Sequence, residues 1–167
     1  MQELFSFPDP VNEVSARLVA GGVVLLTIAT IVFEQPVLLL LLAYGFAARV
    51  LTGPTLSPLG QFVTRVLTPA LPFKAKYVPG PPKRFAQGIG ATLSVLAVIL
   101  YFGFGLSTAA WVTVALITIA ATLESVFALC LGCKAFAVLM RMGVIPDDVC
   151  ESCNNIWSTD GTTARAR

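Results

Sequence analysis

Four cysteines form the most distinctive chemical pattern in this sequence of 167 residues. They lie near its C-terminal end as two pairs, each with two residues between its cysteines: Cys130, Cys133, Cys150 and Cys153. The spacing C-x2-C-x16-C-x2-C lies in the range typical of four-thiolate zinc sites. Two closely spaced thiolates can bind one metal ion, and the segment between the pairs lets the second pair complete a tetrahedron. The spacing therefore predicts zinc at these four residues, with iron as the less favoured metal.

A redox-active thiol pair is the second interpretation of the same residues. Cys130-Leu131-Gly132-Cys133-Lys134 resembles the redox pair of thioredoxin-like proteins, and the charge of Lys134 would favour a thiolate. In that interpretation Cys150 and Cys153 serve as a resolving or relaying pair. The βαβ context that accompanies the motif elsewhere is absent from this sequence. A third interpretation assigns the cysteines no chemistry, because free cysteine is often a small buried hydrophobic residue.

The composition places most of the chain in lipid. It contains 56% hydrophobic and 12% charged residues, with a mean hydropathy of +0.84, whereas soluble proteins average about 25% charged residues. The absence of histidine excludes His-based catalytic triads and imidazole zinc motifs. A net charge of +2 gives no electrostatic footprint for nucleic acid. The expected partner is therefore the lipid bilayer, and nucleic acid is excluded.

Four predicted transmembrane helices position the cysteines. The apolar runs cover about residues 14–33, 36–52, 85–105 and 108–133, and a bilayer core requires about 17–25 helical residues. The second run is marginal in length. Very short links within the first two and the last two runs predict two helical hairpins. The fold class is an all-α integral membrane protein, with a four-helix transmembrane domain over residues 1–143 and a cysteine-bearing cytoplasmic tail over 144–167. If the fourth helix continues beyond Cys133, Cys130 and Cys133 lie one turn apart on one helix face.

The segment between the hairpins, residues 52–82, contains seven of the eleven prolines and so excludes a continuous helix. Within it, Ser57 is a candidate N-cap and Pro58 suits the first helical position. The residues that follow predict a short amphipathic helix, either at the membrane interface or packed on the bundle. Near the N-terminus, Asp9-Pro10 predicts the start of the first helix, which we expect to be retained as a span.

The distribution of charge predicts the orientation of the helices. No Asp or Glu occurs from residue 35 to residue 123, whereas bases surround the central segment: Arg49, Arg65, Lys74, Lys76, Lys83 and Arg84. The links within the two hairpins carry no base. By the positive-inside rule, the central segment and both termini face the cytoplasm. We therefore expect a multi-pass protein of the inner (plasma) membrane.

Glu124 is the single acidic residue inside the predicted spans. An ionisable residue within the membrane is a functional candidate and usually faces a partner. Arg17 and Arg49 lie at similar depth, so the sequence predicts an intramembrane charge cluster of Glu124, Arg17 and Arg49. A structural clamp between the hairpins is one role for this cluster. A proton relay or the binding of a substrate carboxylate is the alternative.

Four segments carry a family resemblance: Ser57-Pro58-Leu59, Lys83-Arg84-Phe85-Ala86-Gln87, Leu123-Glu124 and Cys130-Leu131-Gly132-Cys133-Lys134. They resemble the bacterial membrane family catalogued as domain of unknown function 4395, over about residues 9–136. The resemblance implies a small integral membrane protein without a settled activity. It also implies an association with thioredoxin-like and sulfurtransferase proteins, which favours thiol or sulfur chemistry.

These observations lead to one functional hypothesis and two alternatives. The hypothesis is a thiol-redox or sulfur-transfer module at the cytoplasmic membrane face, which uses Cys130 and Cys133 with a soluble thioredoxin-like or rhodanese-like partner. The first alternative is a non-enzymatic membrane protein whose four cysteines hold a structural zinc ion. The second is a small-solute transporter, which would require Glu124 in a water-accessible cavity between the hairpins.

Overall fold

The computed structural model describes residues 9–72, 74–146 and 149, and these residues are helical apart from turns and one short pair of strands. Helices α1 (Glu13–Phe33) and α2 (Val37–Thr52) form the first hairpin. Helix α5 (Gly80–Val98), extended by a π-helical turn (Ile99–Gly103), forms the second hairpin with α6 (Ser107–Phe127). The prediction of an all-helical protein is confirmed.

Three helices are long and apolar enough to cross a membrane: Glu13–Phe33, Gly80–Gly103 and Ser107–Phe127. The predicted second span, Val37–Thr52, is an apolar helix of 16 residues. At about 1.5 Å per residue it rises roughly 24 Å, which is less than the roughly 30 Å of a hydrocarbon core. The bilayer-sized helices are therefore α1, α6 and the extended α5.

The two hairpins pack as a four-helix bundle, with α1 against α6 and α2 against α5. Val23, Leu42, Phe46 and Ile117 form the core near the middle, and Leu39, Ala97 and Val114 form a second cluster towards the hairpin turns. Large apolar side chains also cover the outer faces of the helices: Leu25, Val32, Leu40, Leu96, Val112 and Ile119. Such an apolar exterior suits lipid, since a water-soluble bundle of this size would hide it.

The central segment contains the predicted short helix. Ser57 caps α3 (Pro58–Phe62) by accepting a hydrogen bond from the Gly60 N–H at 3.2 Å, and Pro58 occupies the first turn, so both predictions are confirmed. The chain continues through a π-helical turn (Val63–Leu67) into α4 (Thr68–Ala70). Val63 is buried, while Phe62 is exposed, so this segment packs one face on the bundle and presents the other outward.

The predicted start of the first helix at Asp9-Pro10 is wrong. Helix α1 begins at Glu13 with Asn12 as its cap, because β1 (Val11–Asn12) pairs antiparallel with β2 (Tyr77–Val78). Asp9 instead accepts a hydrogen bond from the backbone N–H of Gly80, the first residue of α5.

Helix α5 begins five residues before the predicted position 85. Pro81 and Pro82 lie in its first turn, where a backbone N–H has no partner within the helix. The side chain of Asp9 satisfies the N–H of Gly80 at the same helix end. Lys83, one of the bases that surround the central segment, is therefore a buried helical residue.

The predicted fourth span ends early. Helix α6 stops at Phe127 because Ala128 adopts the left-handed conformation, with φ of 55°. The backbone N–H groups of Ala128 and Leu129 both donate to Leu123 O, which closes the helix end. A separate helix, α7 (Leu131–Arg141), then packs on α5 through Phe136 and Phe85. The predicted continuous helix through Cys133 is therefore wrong.

We expect Gly90→Ala to destabilise the bundle, because a Cβ at this position would overlap the Phe46 ring on α2. Overpacking of this kind costs about 1–3 kcal/mol of unfolding free energy. Gly88→Ala is the matched control, since its Cβ would meet nothing within 4 Å. Thermal unfolding of both variants in mild detergent checks the difference. Equal unfolding temperatures would contradict the packing of α5 on α2.

Candidate functional site

The first cysteine pair lies in the first turn of α7, just beyond the end of α6. Cys130 is the N-cap of α7, and its Sγ accepts a hydrogen bond from the backbone N–H of Cys133 at 3.3 Å. Cys130 is buried, with 8% of its surface exposed, while Cys133 is half-buried, and both are free thiols. The two thiols therefore do not share one helix face as predicted, since Cys130 precedes the helix and caps it. A sulfur in this position lies at the positive end of the helix dipole, which favours its thiolate.

The two thiols differ in acidity. The thiol of Cys133 donates a hydrogen bond to Sγ of Cys130, and this bond lowers the pKa of Cys130 below the ordinary thiol value. Lys83 acts in the same direction, whereas burial and the carboxylate of Glu124 oppose the decrease. The pKa of Cys133 is raised, because its proton is held in that hydrogen bond and because the group is buried. Cys130 is thus the thiol that ionises first.

Lys83 and Glu124 form a buried ion pair beside the thiols. Nζ of Lys83 lies 2.7 Å from Oε1 of Glu124, and the two side chains are only 10% and 16% exposed. Removal of one partner from a buried pair typically costs about 3–5 kcal/mol, because the other charge is left uncompensated. The predicted direct pairing of Glu124 with Arg17 or Arg49 is wrong, since Lys83 enters the bundle as part of α5.

The two predicted arginine partners lie elsewhere. Arg17 donates three hydrogen bonds to the carbonyl oxygens of Ser125 and Val126, at 3.0–3.2 Å, and so caps the C-terminal end of α6. Arg49 is 5% exposed, its guanidinium lies 4.5 Å from the centre of the Phe46 ring, and its Nε is buried without an acceptor. Arg49 interacts electrostatically with the charge of Glu124 but makes no hydrogen bond to it.

A cavity of about 410 Å³ opens beside Cys130. Its walls come mainly from α1, α5, α6 and the start of α7, and they are largely apolar. Three polar side chains interrupt the apolar lining: Gln87, Glu124 and Cys130. Leu116 and Ile119, which also line it, are exposed on the outer face of α6, so the cavity reaches the surface of the bundle there. Pockets of this size hold small molecules and position them by a few polar groups.

Sequence reasoning missed Lys83 and Gln87 as site residues. Because the two residues are four positions apart, they lie on one face of a helix. This relation applies only if the helix begins before Lys83. The Oε1 atom of Gln87 is buried without a donor. Lys134, the predicted local cation, is exposed on α7, and the lysine that acts on both thiols is Lys83.

The predicted four-cysteine metal site includes two residues within the described part of the chain, Cys130 and Cys133, and two outside it. Cys150 and Cys153 lie outside the described residues. Within residues 9–72, 74–146 and 149, no group of three or more His, Cys, Asp or Glu side chains is placed to hold a metal ion. Cys130 and Cys133 would supply two thiolates of such a site, and zinc binding stays a prediction.

A family model described as Domain of unknown function (DUF4395) matches residues 11–141. The chain belongs to this family. No curated protein and no solved structure matches it. The matched region of this DUF4395 protein includes all the described helices, the Lys83–Glu124 ion pair and the first cysteine pair. Cys150 and Cys153 lie beyond the matched region.

We expect Lys83→Gln and Glu124→Gln to shift the ionisation of Cys130 in opposite directions. Loss of the Lys83 charge removes a group that lowers the pKa of Cys130, so thiolate formation moves to higher pH. Loss of the Glu124 charge removes a group that raises it, so thiolate formation moves to lower pH.

The rate of Cys130 alkylation by iodoacetamide against pH measures these shifts, with peptide mapping to identify the modified cysteine. Lys134→Gln is the control, since it removes a lysine from the exposed face of α7. Shifts of the same sign in the Lys83 and Glu124 variants would contradict the electrostatic arrangement.

We expect Gly132→Ala to loosen α7 from α5. A Cβ on Gly132 would lie 2.5 Å from both Cα and Cβ of Ala86, and the backbone atom cannot move aside as a flexible side chain could. The predicted loss is about 1–3 kcal/mol in the docking of α7, with faster alkylation of Cys130 at fixed pH. Gly88→Ala is again the matched control. An unchanged alkylation rate in Gly132→Ala would show that this contact does not protect Cys130.

Proposed function

We propose that this protein is a membrane-embedded thiol module that transfers reducing equivalents or sulfur through Cys130 and Cys133. The observation that supports the proposal is the position of Cys130 as the N-cap of α7, where it accepts hydrogen bonds from Cys133 and lies near Lys83. One thiol of low pKa beside one of high pKa is the arrangement that thiol–disulfide exchange uses. Burial alone would raise both pKa values. The hydrogen bond with Cys133 and the charge of Lys83 oppose this effect at Cys130.

The exchange consists of two balanced steps. The thiolate of a partner dithiol attacks Sγ of Cys133 in a Cys130–Cys133 disulfide, and Cys130 leaves as the thiolate. The second thiol of the partner then attacks the mixed disulfide, which releases Cys133 and leaves the partner with a disulfide. The two hydrogens lost by the partner reside on Cys130 and Cys133. The reverse sequence reduces a partner disulfide.

Exposure and pKa assign different roles to the two cysteines in this exchange. Cys133 is the more exposed sulfur and therefore the one that a soluble partner reaches. Cys130 is the better leaving group because its pKa is lowered, and a thiol of lower pKa leaves faster. Lys83 acts as a positioning residue, since its charge stabilises the departing thiolate while Glu124 holds its ammonium in place.

The proposed setting is the cytoplasmic face of the inner membrane, with α2 as a fourth, short span. The exposed bases Arg65, Lys74, Lys76 and Arg84 lie in the segment that leads into α5 or in its first turns. The hairpin turns at the other end carry no base. The positive-inside rule then places the cysteine pair, which follows the C-terminal end of α6, on the cytoplasmic side. A thioredoxin-like or rhodanese-like soluble protein is the proposed partner.

Oxidised glutathione tests the proposed exchange on the full chain in mild detergent, with Cys150→Ser and Cys153→Ser as the background. The reduced protein should form a Cys130–Cys133 disulfide and release two glutathiones per chain. In Cys130→Ser, Cys133 should retain a stable glutathione adduct, because the resolving thiol is missing. Cys133→Ser should retain much less, because Cys130 is buried. Equal adducts in both single variants, or no intramolecular disulfide, would contradict the assigned roles.

Metal content and free-thiol count on the unmodified chain, purified without reductant, separate this proposal from the zinc alternative. Two or four thiols lost to disulfide and recovered by reductant, without bound metal, would support the exchange. About one zinc or iron per chain, with four thiols released by a chelator, would support a structural site of Cys130, Cys133, Cys150 and Cys153 instead.

A further inference from the structure

We propose that a second cavity, formed by residues around β1, the C-terminal end of α2 and the start of α5, binds the phosphate group of a small molecule or lipid through Arg49 and Lys83. This cavity has a volume of about 320 Å³. It is separate from the cavity beside Cys130, although Val19 and Gln87 line both. The proposal does not rest on the proposed thiol exchange, although Lys83 lines this cavity and also acts on Cys130.

The observation that carries the proposal is the state of Arg49. The guanidinium has five N–H donors and no acceptor, and it stays charged in proteins. Arg49 lines the cavity, is 5% exposed, and its Nε is buried with no hydrogen-bond partner. Its contact with the face of Phe46 does not supply a hydrogen-bond acceptor for those donors. Since buried polar groups are nearly always hydrogen-bonded, an acceptor for Arg49 is expected in the cavity.

The balance of charge around the cavity gives the sign of the ligand. Two buried cations, Arg49 and Lys83, line the cavity, and the acid that acts on both is Glu124. Glu124 forms its short contact with Lys83 and lines the other cavity, so the charge of Arg49 has no direct partner in the described part of the chain. An anion in the cavity would supply that partner.

The shape and lining of the cavity indicate an oxyanion that belongs to a larger molecule. The planar fork of arginine matches phosphate and carboxylate oxygens with two parallel hydrogen bonds. Asn12 uses its side-chain oxygen to cap α1, which leaves its NH2 group as a further donor. Val11, Ala16 and Pro54 provide apolar wall around these polar groups. A volume of 320 Å³ suits a phosphate ester or a lipid glycerophosphate headgroup.

Binding of glycerol 3-phosphate to the full chain in mild detergent is the first measurement. Equilibrium dialysis with radiolabelled glycerol 3-phosphate, with reductant present, should give saturable binding of about one molecule per chain. Arg49→Gln should weaken this binding by about tenfold or more, since loss of one partner of a buried charge pair has at least that effect. Arg65→Gln removes one exposed arginine from the π-helical turn and should leave the affinity unchanged.

Two further variants keep the proposal testable if Arg49→Gln does not fold. Arg49→Lys retains the charge but not the fork, and it should also weaken binding. Ala16→Leu leaves Arg49 intact and fills part of the cavity, so it should abolish binding while the protein stays folded. Equal binding in the wild type and in every folded cavity variant would overturn the proposal.

Lipid nanodiscs separate the two sources of the phosphate group. Discs of phosphatidylglycerol, compared with discs of phosphatidylcholine, should raise the unfolding temperature of the wild type but not of Arg49→Gln if the source is an anionic lipid headgroup. Binding of glycerol 3-phosphate without a difference between the two lipids would support a soluble phosphate ester. The absence of both glycerol 3-phosphate binding and an Arg49-dependent lipid effect would overturn the proposal. The glutathione experiment would still test the thiol exchange separately.

Discussion

The ion pair between Lys83 and Glu124 is the interaction on which the site depends. It joins α5 to α6 inside the bundle, and its ammonium acts on both sulfurs at the start of α7. Removal of two charges from water costs several kcal/mol for each ion, which only close geometry and further hydrogen bonds offset. The bundle therefore has to hold the two helices in one register for the pair to form at all. That same register fixes the electrostatic surroundings of Cys130.

Three local features bring the ion pair and the thiols together. Asp9 and the prolines allow α5 to begin at Gly80, so that Lys83 is already helical where it enters the bundle. The left-handed Ala128 ends α6 soon after Glu124 and turns the chain, so that Cys130 caps a new helix. Gly132 then lets α7 approach the backbone of Ala86 on α5. Each feature is local, but the site requires all three.

Sequence reasoning could predict the features that depend on local pattern. The lengths of the apolar runs predicted the helices of the two hairpins, and Ser57-Pro58 predicted the start of a short helix. These features could be predicted because they depend on residues that are neighbours in the chain. The end of α6 could not be predicted, since Ala128 stands where glycine usually marks a left-handed residue. The partner of Glu124 lies 41 positions away, and in the sequence Lys83 is one of several bases that surround the central segment. This ion pair depends on how the helices pack, and helix packing cannot be predicted from the residues adjacent to Glu124 in the chain.

Arg49 and Lys83 line the second cavity, and Lys83 also acts on Cys130, which lines the first. Arg49 and Lys83 outnumber Glu124, so a thiolate at Cys130 and a phosphate beside Arg49 would each offset the same surplus. Two anions that draw on one surplus oppose one another, and coupling between sites is reciprocal by linkage. Phosphate in its proposed cavity would therefore make the Cys130 thiolate less favourable, and ionisation of Cys130 would weaken phosphate binding by the same factor. Gln87 lines both cavities and is therefore placed to contact a ligand in either one.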